Sequence, residues 1–302
     1  MIVAAAVWLV LCAGFAVTAP RLAPAARPAA AVRLTVSAAL ALTAAGVFVL
    51  GSAAATWAFQ DPALAALSRL SAGKLHADSP IPPDAAILAG GLLVAAAASL
   101  VVCGWRTVAG HRAVRAAVGR PHGDDVLVLD DERIEAFVTP GRRGRVVVTT
   151  ALLEALDPAE REALLVHERA HRRHAHAWWT LAIRLTVAVN PLLRGVRRAA
   201  EHAMERWADE DAATQTGDRR LVARTVARVS LLKKHGSSAS AGVLLDAGGG
   251  DVPVRVRALL KPESPGGRLA AIALVVFLAG AVVALVLMQR TTDGIFDAAH
   301  AG

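Results

Sequence analysis

The sequence predicts a multi-pass α-helical membrane protein with one α+β domain inserted before its last span. Hydrophobic residues make up 55% of the 302 residues, and the mean hydropathy is +0.47. Both values exceed those of an ordinary soluble protein. The apolar residues are concentrated in four blocks, whereas most charged residues lie in one segment of about 160 residues, which is long enough for a separate domain.

Each apolar block is long enough to cross about 30 Å of hydrocarbon as a helix. The four blocks are residues 2–19, 34–59, 85–105 and 269–288. The first block could also be a cleaved signal peptide. No Lys or Arg precedes it, however, and a signal peptide normally begins with a basic segment. We therefore expect an uncleaved first span.

These blocks divide the chain into four regions. Residues 1–105 hold three spans with short loops, and residues 106–268 form the inserted domain. Residues 269–288 are the fourth span, and residues 289–302 form a short outer tail.

The distribution of charge predicts the orientation in the membrane. The 20–33 loop holds three Arg and no acidic residue, whereas the 60–84 loop holds three Asp against one Arg and one Lys. Basic residues also flank the inserted domain. By the positive-inside rule, this domain and the 20–33 loop lie in the cytoplasm and both termini lie outside. We therefore expect a multi-pass protein of the cell membrane.

The net charge of +8 could favour binding to nucleic acid or to anionic lipid. No recognised nucleic-acid-binding motif accompanies the arginines, and anionic lipid of the inner leaflet explains them more simply. We expect the lipid bilayer as partner and no direct binding of nucleic acid.

The inserted domain begins with β-branched runs at residues 126–129, 133–138 and 146–150. Pairs of Asp and a Thr139-Pro140-Gly141 turn separate them. This pattern predicts a small antiparallel sheet just before the next helix.

That helix carries His167-Glu168-Arg169-Ala170-His171, an HExxH sequence. Positions i and i+4 share one helix face, so His167 and His171 can present a ring nitrogen to one Zn²⁺ while Glu168 lies beside the open position of the metal. A chance match in a surface helix is the alternative. This arrangement is typical of a zinc peptidase, in which Glu168 is the catalytic base.

Three of the four residues 157–160 mark the start of the helix that carries the HExxH motif. Asp157 is a predicted N-cap, Pro158 suits the first helical position, and Glu160 completes a capping box. Since the helix then begins at Pro158, the motif falls in its second and third turns.

A third metal ligand is expected downstream. Glu201, Glu205 and Asp209 are spaced i, i+4 and i+8, so they stack on one helix face and repel each other unless a cation or hydrogen-bond donors meet them. A solvated acidic face is the alternative to a ligand site. His174 is a rival ligand, although it would have to reach around the helix that carries His171.

The HExxH motif followed by Glu205-Arg206-Trp207-Ala208-Asp209 resembles the gluzincin peptidases with membrane spans, which include HtpX, the CAAX prenyl protease and the BlaR/MecR transducers. The resemblance implies an inserted α+β zincin (gluzincin) peptidase domain with Glu205 as third zinc ligand. It implies that Asp209 orients a ligand histidine. His176 also fits, because these families often carry His or Asp five residues after the second zinc histidine.

Asn190-Pro191 and the 255–260 segment resemble the BlaR/MecR group in particular. This resemblance implies a signal transducer that cleaves a cytosolic transcriptional repressor of winged-helix type. Only residues 289–302 follow the fourth block, so we expect no penicillin-binding sensor domain. The alternatives are HtpX-like quality control of membrane proteins and a non-catalytic receptor with a structural zinc. An intact Glu168 favours an enzyme.

Residues 177–193 approach the length and apolarity of a fifth span. If they crossed the bilayer, Glu205 would lie on the opposite side from His167 and His171. Arg184 would also cost about 2.5–3.5 kcal/mol in hydrocarbon. We therefore expect a helix at the inner interface.

The 219–235 segment is an expected amphipathic helix, and residues 236–250 form a Gly/Ser-rich linker or flap. The sequence has no tyrosine to stabilise an oxyanion. The candidates for that role are His202, Arg197, Arg198 and Arg206.

Overall fold

The computed structural model describes residues 2–67, 82–118, 125–139, 141, 144–236, 251–261 and 267–300. These residues form a set of α-helices and one small sheet. The helices of the amino-terminal part are α1 (Ile2–Leu22), α2 (Pro28–Ala58), α3 (Pro62–Leu67) and α4 (Pro83–Val118). Those of the remainder are α5 (Thr150–Glu154), α6 (Pro158–Arg173), α7 (His176–Val189), α8 (Arg194–Thr216), α9 (Arg219–Gly236), α10 (Val252–Leu260) and α11 (Arg268–His300).

Four of these helices are long and apolar enough to span a membrane, as the sequence predicts. The candidate spans are Ala5–Ala25, Pro28–Ala58, Pro83–Val118 and Arg268–Leu287. Their outward faces expose large apolar side chains, which lipid would cover. The helices α4 and α11 continue well past residues 105 and 288, where the apolar blocks end.

The spans pack around α2, which contacts α1, α4 and α11. Small residues allow this packing. At Gly46 of α2, the ring of Trp8 lies directly over the backbone, and its Nε1 donates to the Leu42 carbonyl at 2.7 Å. A side chain at position 46 would overlap the ring, so glycine is required for this contact.

The core of the spans continues into the polar half of the molecule. Buried residues of α8, among them Val196, Ala200 and Met204, belong to the same apolar cluster as Phe15 and Leu42 of the spans. The amino-terminal half of α8 therefore packs directly on the membrane helices. This contact places the carboxyl-terminal half of α8, with its acidic residues, just beyond them.

The sheet contains β1 (Val126–Leu129), β2 (Ala136–Val138) and β3 (Val146–Thr149) in the order β1-β3-β2. The predicted antiparallel sheet is wrong in one pair, since β1 runs parallel to β3 and only β2 is antiparallel to it. The physical reason is burial. All four residues of β3 are buried, so β3 takes the centre of the sheet, where both of its edges are paired.

Helix α7 covers most of the 177–193 segment, and it is not among the four candidate spans. It has 14 residues, buries Ile183 and Thr186, and exposes Arg184. After Val189 the chain turns through Asn190 and a short 3-10 helix, Pro191–Leu193, into α8. The α7 and α8 helices therefore lie side by side, and α8 returns towards α6.

Helix α9 matches the expected amphipathic segment, and it packs against α6, α8 and α10. The Gly/Ser-rich segment predicted at 236–250 lies outside the described residues except for Gly236. Most of the 60–84 loop also lies outside them.

Candidate metal centre

The helix that carries the HExxH motif is fixed at its first turn. Asp157 accepts a hydrogen bond from the Glu160 backbone at 2.8 Å, and Glu160 accepts one from the Asp157 backbone at 3.1 Å. This is the predicted capping box, with Pro158 as first helical residue. The buried Glu160 carboxylate also accepts from Arg228 of α9 at 2.7 Å. The start of α6 is thus held both by its own cap and by a neighbouring helix.

The structure brings His167 and His171 of α6 together with Glu205 of α8. The two histidine Nε2 atoms lie 3.1 Å apart. The Glu205 carboxylate oxygens lie 3.6 Å from Nε2 of His167 and 3.5 Å from Nε2 of His171. Among the described residues, these three form the cluster of His, Cys, Asp or Glu that could hold a metal ion.

These separations fit zinc. In a tetrahedral zinc site with bonds of about 2.0–2.1 Å, donor atoms lie about 3.3 Å apart, close to the separations of 3.1–3.6 Å here. Two imidazoles and one carboxylate are a known ligand set of catalytic zinc, and they leave a fourth position for water.

Each of the two imidazoles also has a partner at its other nitrogen. Nδ1 of His167 lies 3.1 Å from Oδ1 of Asp209, and Nδ1 of His171 lies 2.8 Å from Nδ1 of His176. Burial, followed by the charge on His171, lowers the pKa of His176 to about 3, so His176 is neutral and its Nδ1 can accept a hydrogen bond from Nδ1 of His171. Such contacts fix the tautomer and the orientation of a ligand histidine.

Asp209 and Glu205 also share a cation, which is Arg255 of α10. Its Nε and Nη2 donate to the two oxygens of Asp209 at 2.8 and 2.7 Å, and its Nη1 lies 2.9 Å from Oε2 of Glu205. Burial favours the neutral form of both acids. The neighbouring histidines and Arg255 outweigh it and lower the pKa of Glu205 and of Asp209, so both remain carboxylates.

The pKa of His167 is raised, whereas those of Glu205 and Asp209 are lowered. Burial disfavours its charged form, but Asp209 and Glu205 outweigh this effect and raise its pKa to about 10. A metal ion therefore competes with a proton for this imidazole, because histidine ligates in its neutral form.

Glu168 is half-buried on α6, next to His167. Its charge opposes the lowering of the His171 pKa and contributes to the raised pKa of Arg255. A carboxylate in this position can take a proton from a water molecule.

The other residues singled out in the sequence have different partners. His174 stacks on Trp207, with ring centroids 4.2 Å apart, and its Nε2 lies 3.2 Å from Asp211. His174, the rival ligand, therefore lies outside the metal cluster. Glu201 is partly buried and pairs with Arg197 at 3.4 Å, so it lies outside the metal cluster.

The oxyanion candidates are likewise engaged elsewhere or exposed. His202 lies 3.1 Å from Asp251, and Arg206 donates to the Pro24 carbonyl at 2.7 Å. Arg198 is exposed.

Arg255 is the site residue that sequence reasoning missed. Its place in the chain suggested only a basic flank of the last span. The signal that could have found it is the stack of Glu205 and Asp209, since two acids on one helix face require a cation nearby.

Comparison with known proteins agrees with this geometry. Residues 104–230 match the family model of Peptidase family M48, a family of zinc peptidases. The match includes the sheet, the HExxH helix and the acidic helix α8. No curated protein matches the chain, and no solved structure does. Residues 104–230 are therefore similar to Peptidase family M48, and with its four candidate spans and plausible zinc site the chain is a membrane zinc metallopeptidase.

Proposed function

We propose that the chain is an endopeptidase that transduces a signal by cutting a cytosolic transcriptional repressor. In this proposal His167, His171 and Glu205 hold Zn²⁺, Glu168 is the general base, and Asp209 orients a ligand histidine. The observation that carries it is the cluster of two imidazoles and one carboxylate, each with a partner that holds it, beside Glu168.

The bound Zn²⁺ supplies a Lewis acid that polarises the peptide carbonyl and lowers the pKa of water. Glu168 takes the proton of the attacking water and then passes it to the amine of the leaving product. Asp209 and His176 keep the two imidazoles oriented during this transfer. Against the effect of burial, the neighbouring histidines and Arg255 lower the pKa of Glu205 and of Asp209 and keep both ionised.

The sheet supports a substrate that binds in extended form. Strand β2 pairs with β3 along one side only in the described part of the chain, and it also packs against α6, the helix of the HExxH motif. A peptide could add to the other side of β2 by main-chain hydrogen bonds. This mode of binding requires a locally extended or unfolded segment in the target.

The cytosolic location rests on the distribution of charge. The basic 20–33 segment contains the connection from α1 to α2, and Arg206 of the peptidase domain donates to the Pro24 carbonyl within it. Both belong to one side of the spans, and the positive-inside rule assigns that side to the cytoplasm. A repressor is the proposed target because of the resemblance to the BlaR/MecR transducers.

The test of orientation is a pair of reporter fusions, one after Arg120 and one after Pro262. We expect both reporters to be active in the cytoplasm. Activity outside the cell membrane from either fusion would contradict the proposed arrangement.

The test of function compares new protein amino termini in cells with the wild-type protein and with Glu168→Gln. Glu162→Gln is the matched control, since Glu162 is an exposed acid on the same helix. We expect cuts in one or a few cytosolic proteins, including a winged-helix repressor, in wild-type and control cells alone. Broad cleavage of misfolded membrane proteins would instead indicate quality control, and identical termini in all three strains would contradict a peptidase.

A further inference from the structure

Arg255 is buried, with 9% of its surface exposed, although it lies on the short helix α10 far from the HExxH motif in sequence. It makes two hydrogen bonds to the carboxylate of Asp209 and an ion pair with Glu205. Three of its nitrogens are thus used by two acids of α8. This arrangement requires a planar, forked cation, which only arginine provides.

The two acids need such a cation. Glu205 and Asp209 are one helical turn apart and face the same side, so their charges repel each other. Asp209 is 2% exposed, and a carboxylate buried to that degree needs a cation or hydrogen-bond donors beside it. Without Arg255 it would turn away from its present position, and Nδ1 of His167 would lose its partner.

Arg255 acts differently on the two oxygens of Glu205. Its Nη1 lies 2.9 Å from Oε2, which is also 3.6 Å from Nε2 of His167, whereas Oε1 faces Nε2 of His171 at 3.5 Å. The guanidinium therefore fixes the carboxylate through one oxygen and leaves the other free for a metal ion. Since three of its five N–H groups point to these two acids, Arg255 is suited to hold the ligands in place.

The position of α10 is itself fixed by polar contacts. Arg219 of α9 pairs with Glu210 of α8, and its Nε donates to the Leu259 carbonyl at the end of α10 at 2.9 Å. Leu259 is buried between these helices. Helix α10 is therefore anchored to α8 and α9, and Arg255 is held in place with it.

The geometry points to Arg255 as a positioning residue that presets Glu205 and Asp209, and through Asp209 the His167 ring, for zinc. This inference rests on the zinc ligands of the proposed function. It adds that zinc affinity depends on a residue of α10, outside the segment that matches the peptidase family. An opposing effect is that Arg255 competes with zinc for Glu205, but this competition is limited to Oε2.

The test measures the dissociation constant for Zn²⁺ of the full chain in detergent, by competition with a chelator. We expect Arg255→Gln to weaken zinc binding about 10- to 100-fold, the range for residues that hold metal ligands. We expect Arg255→Lys to weaken it more than about fivefold, because one ammonium group cannot hold two carboxylates in a fixed plane. Arg257→Gln, an exposed arginine two residues further on α10, is the matched control and should stay within about twofold of wild type.

Helical content and the melting temperature of the zinc-free proteins show whether each variant folds. If Arg255→Gln fails to fold, the zinc affinity of Arg255→Lys still tests the inference. A folded Arg255→Lys protein with wild-type zinc affinity would overturn the inference. If the proposed zinc site itself were wrong, the result would be distinguishable, because wild type and His167→Ala would then bind zinc equally weakly.

Discussion

The membrane spans and the peptidase domain solve the problem of burial in opposite ways. The spans leave large apolar side chains uncovered, as at Val94 and Val101, which are 71% and 70% exposed. The peptidase domain instead buries charges, as at Asp209 and Glu160, which are 2% and 1% exposed. Lipid covers the first set, whereas each buried charge must find a partner within the protein. Changes to single polar groups should therefore have larger effects in the domain than changes to packing have in the spans.

The largest effect is expected from Glu168, which supplies chemistry as well as charge. Glu168→Gln should lower kcat by about 10²- to 10⁴-fold, the contribution of a general base, with zinc content unchanged. Peptide hydrolysis by the purified protein and its metal content by mass spectrometry measure the two quantities. Glu162→Gln is the control and should retain full activity. A Glu168→Gln protein that lost its zinc would show a structural role for this residue instead.

The next effect concerns the acidic helix, on which two similar residues have different surroundings. Glu205→Gln should weaken zinc binding by more than about 100-fold, beyond the range of residues that only support a ligand. Glu201→Gln, one turn earlier, should change it less than about twofold, because Glu201 pairs with Arg197 and is not part of the metal cluster. Chelator competition measures both. Equal zinc affinities in the two variants would remove Glu205 from the ligand set.

The HExxH helix α6 and the acidic helix α8 also show how much can be predicted from the sequence alone. Four spans, a zinc peptidase and its membrane location could be predicted, because apolar length and the HExxH spacing are local features. The capping box at Asp157 and Glu160 is local too, and the structure confirms it. The assignment of ligands and base stays a prediction, although the residues concerned do lie together.

The parts that sequence could not provide depend on long-range packing. Arg255 meets Asp209 across 46 residues, and nothing in its own neighbourhood distinguishes it from the exposed Arg257. The prediction of an antiparallel sheet was wrong in the β1–β3 pair for a similar reason. Burial on β3 decides which strand lies at the centre, and that burial comes from helices later in the chain.

Glu160 offers a smaller change within the domain, away from the metal. Glu160→Gln should lower the free energy of unfolding by about 1–3 kcal/mol, because it weakens a charged hydrogen bond with Arg228 and the bond that the Glu160 carboxylate accepts from the Asp157 backbone. The arginine partners, Arg228 and Arg224, are partly exposed, so water moderates the loss. Thermal or denaturant unfolding of the zinc-free protein measures it, with Glu162→Gln as control. Identical stabilities of the two variants would show that the buried carboxylate contributes little.

The smallest effect is expected in the spans, where Gly46 and Gly51 of α2 form a matched pair. A methyl group at Gly46 would overlap the Trp8 ring, whereas one at Gly51 would meet nothing within 4 Å. Gly46→Ala must therefore displace Trp8 and break its hydrogen bond to the Leu42 carbonyl, which should cost about 1 kcal/mol. Gly51→Ala should be neutral or slightly stabilising, because alanine favours a helix. Thermal unfolding in detergent and the tryptophan emission spectrum measure the difference. Zinc affinity should be the same in both variants, since the contact is remote from the charged cluster. A loss of zinc binding in Gly46→Ala alone would show that packing in the spans is coupled to the metal site, and the two regions would then not be independent.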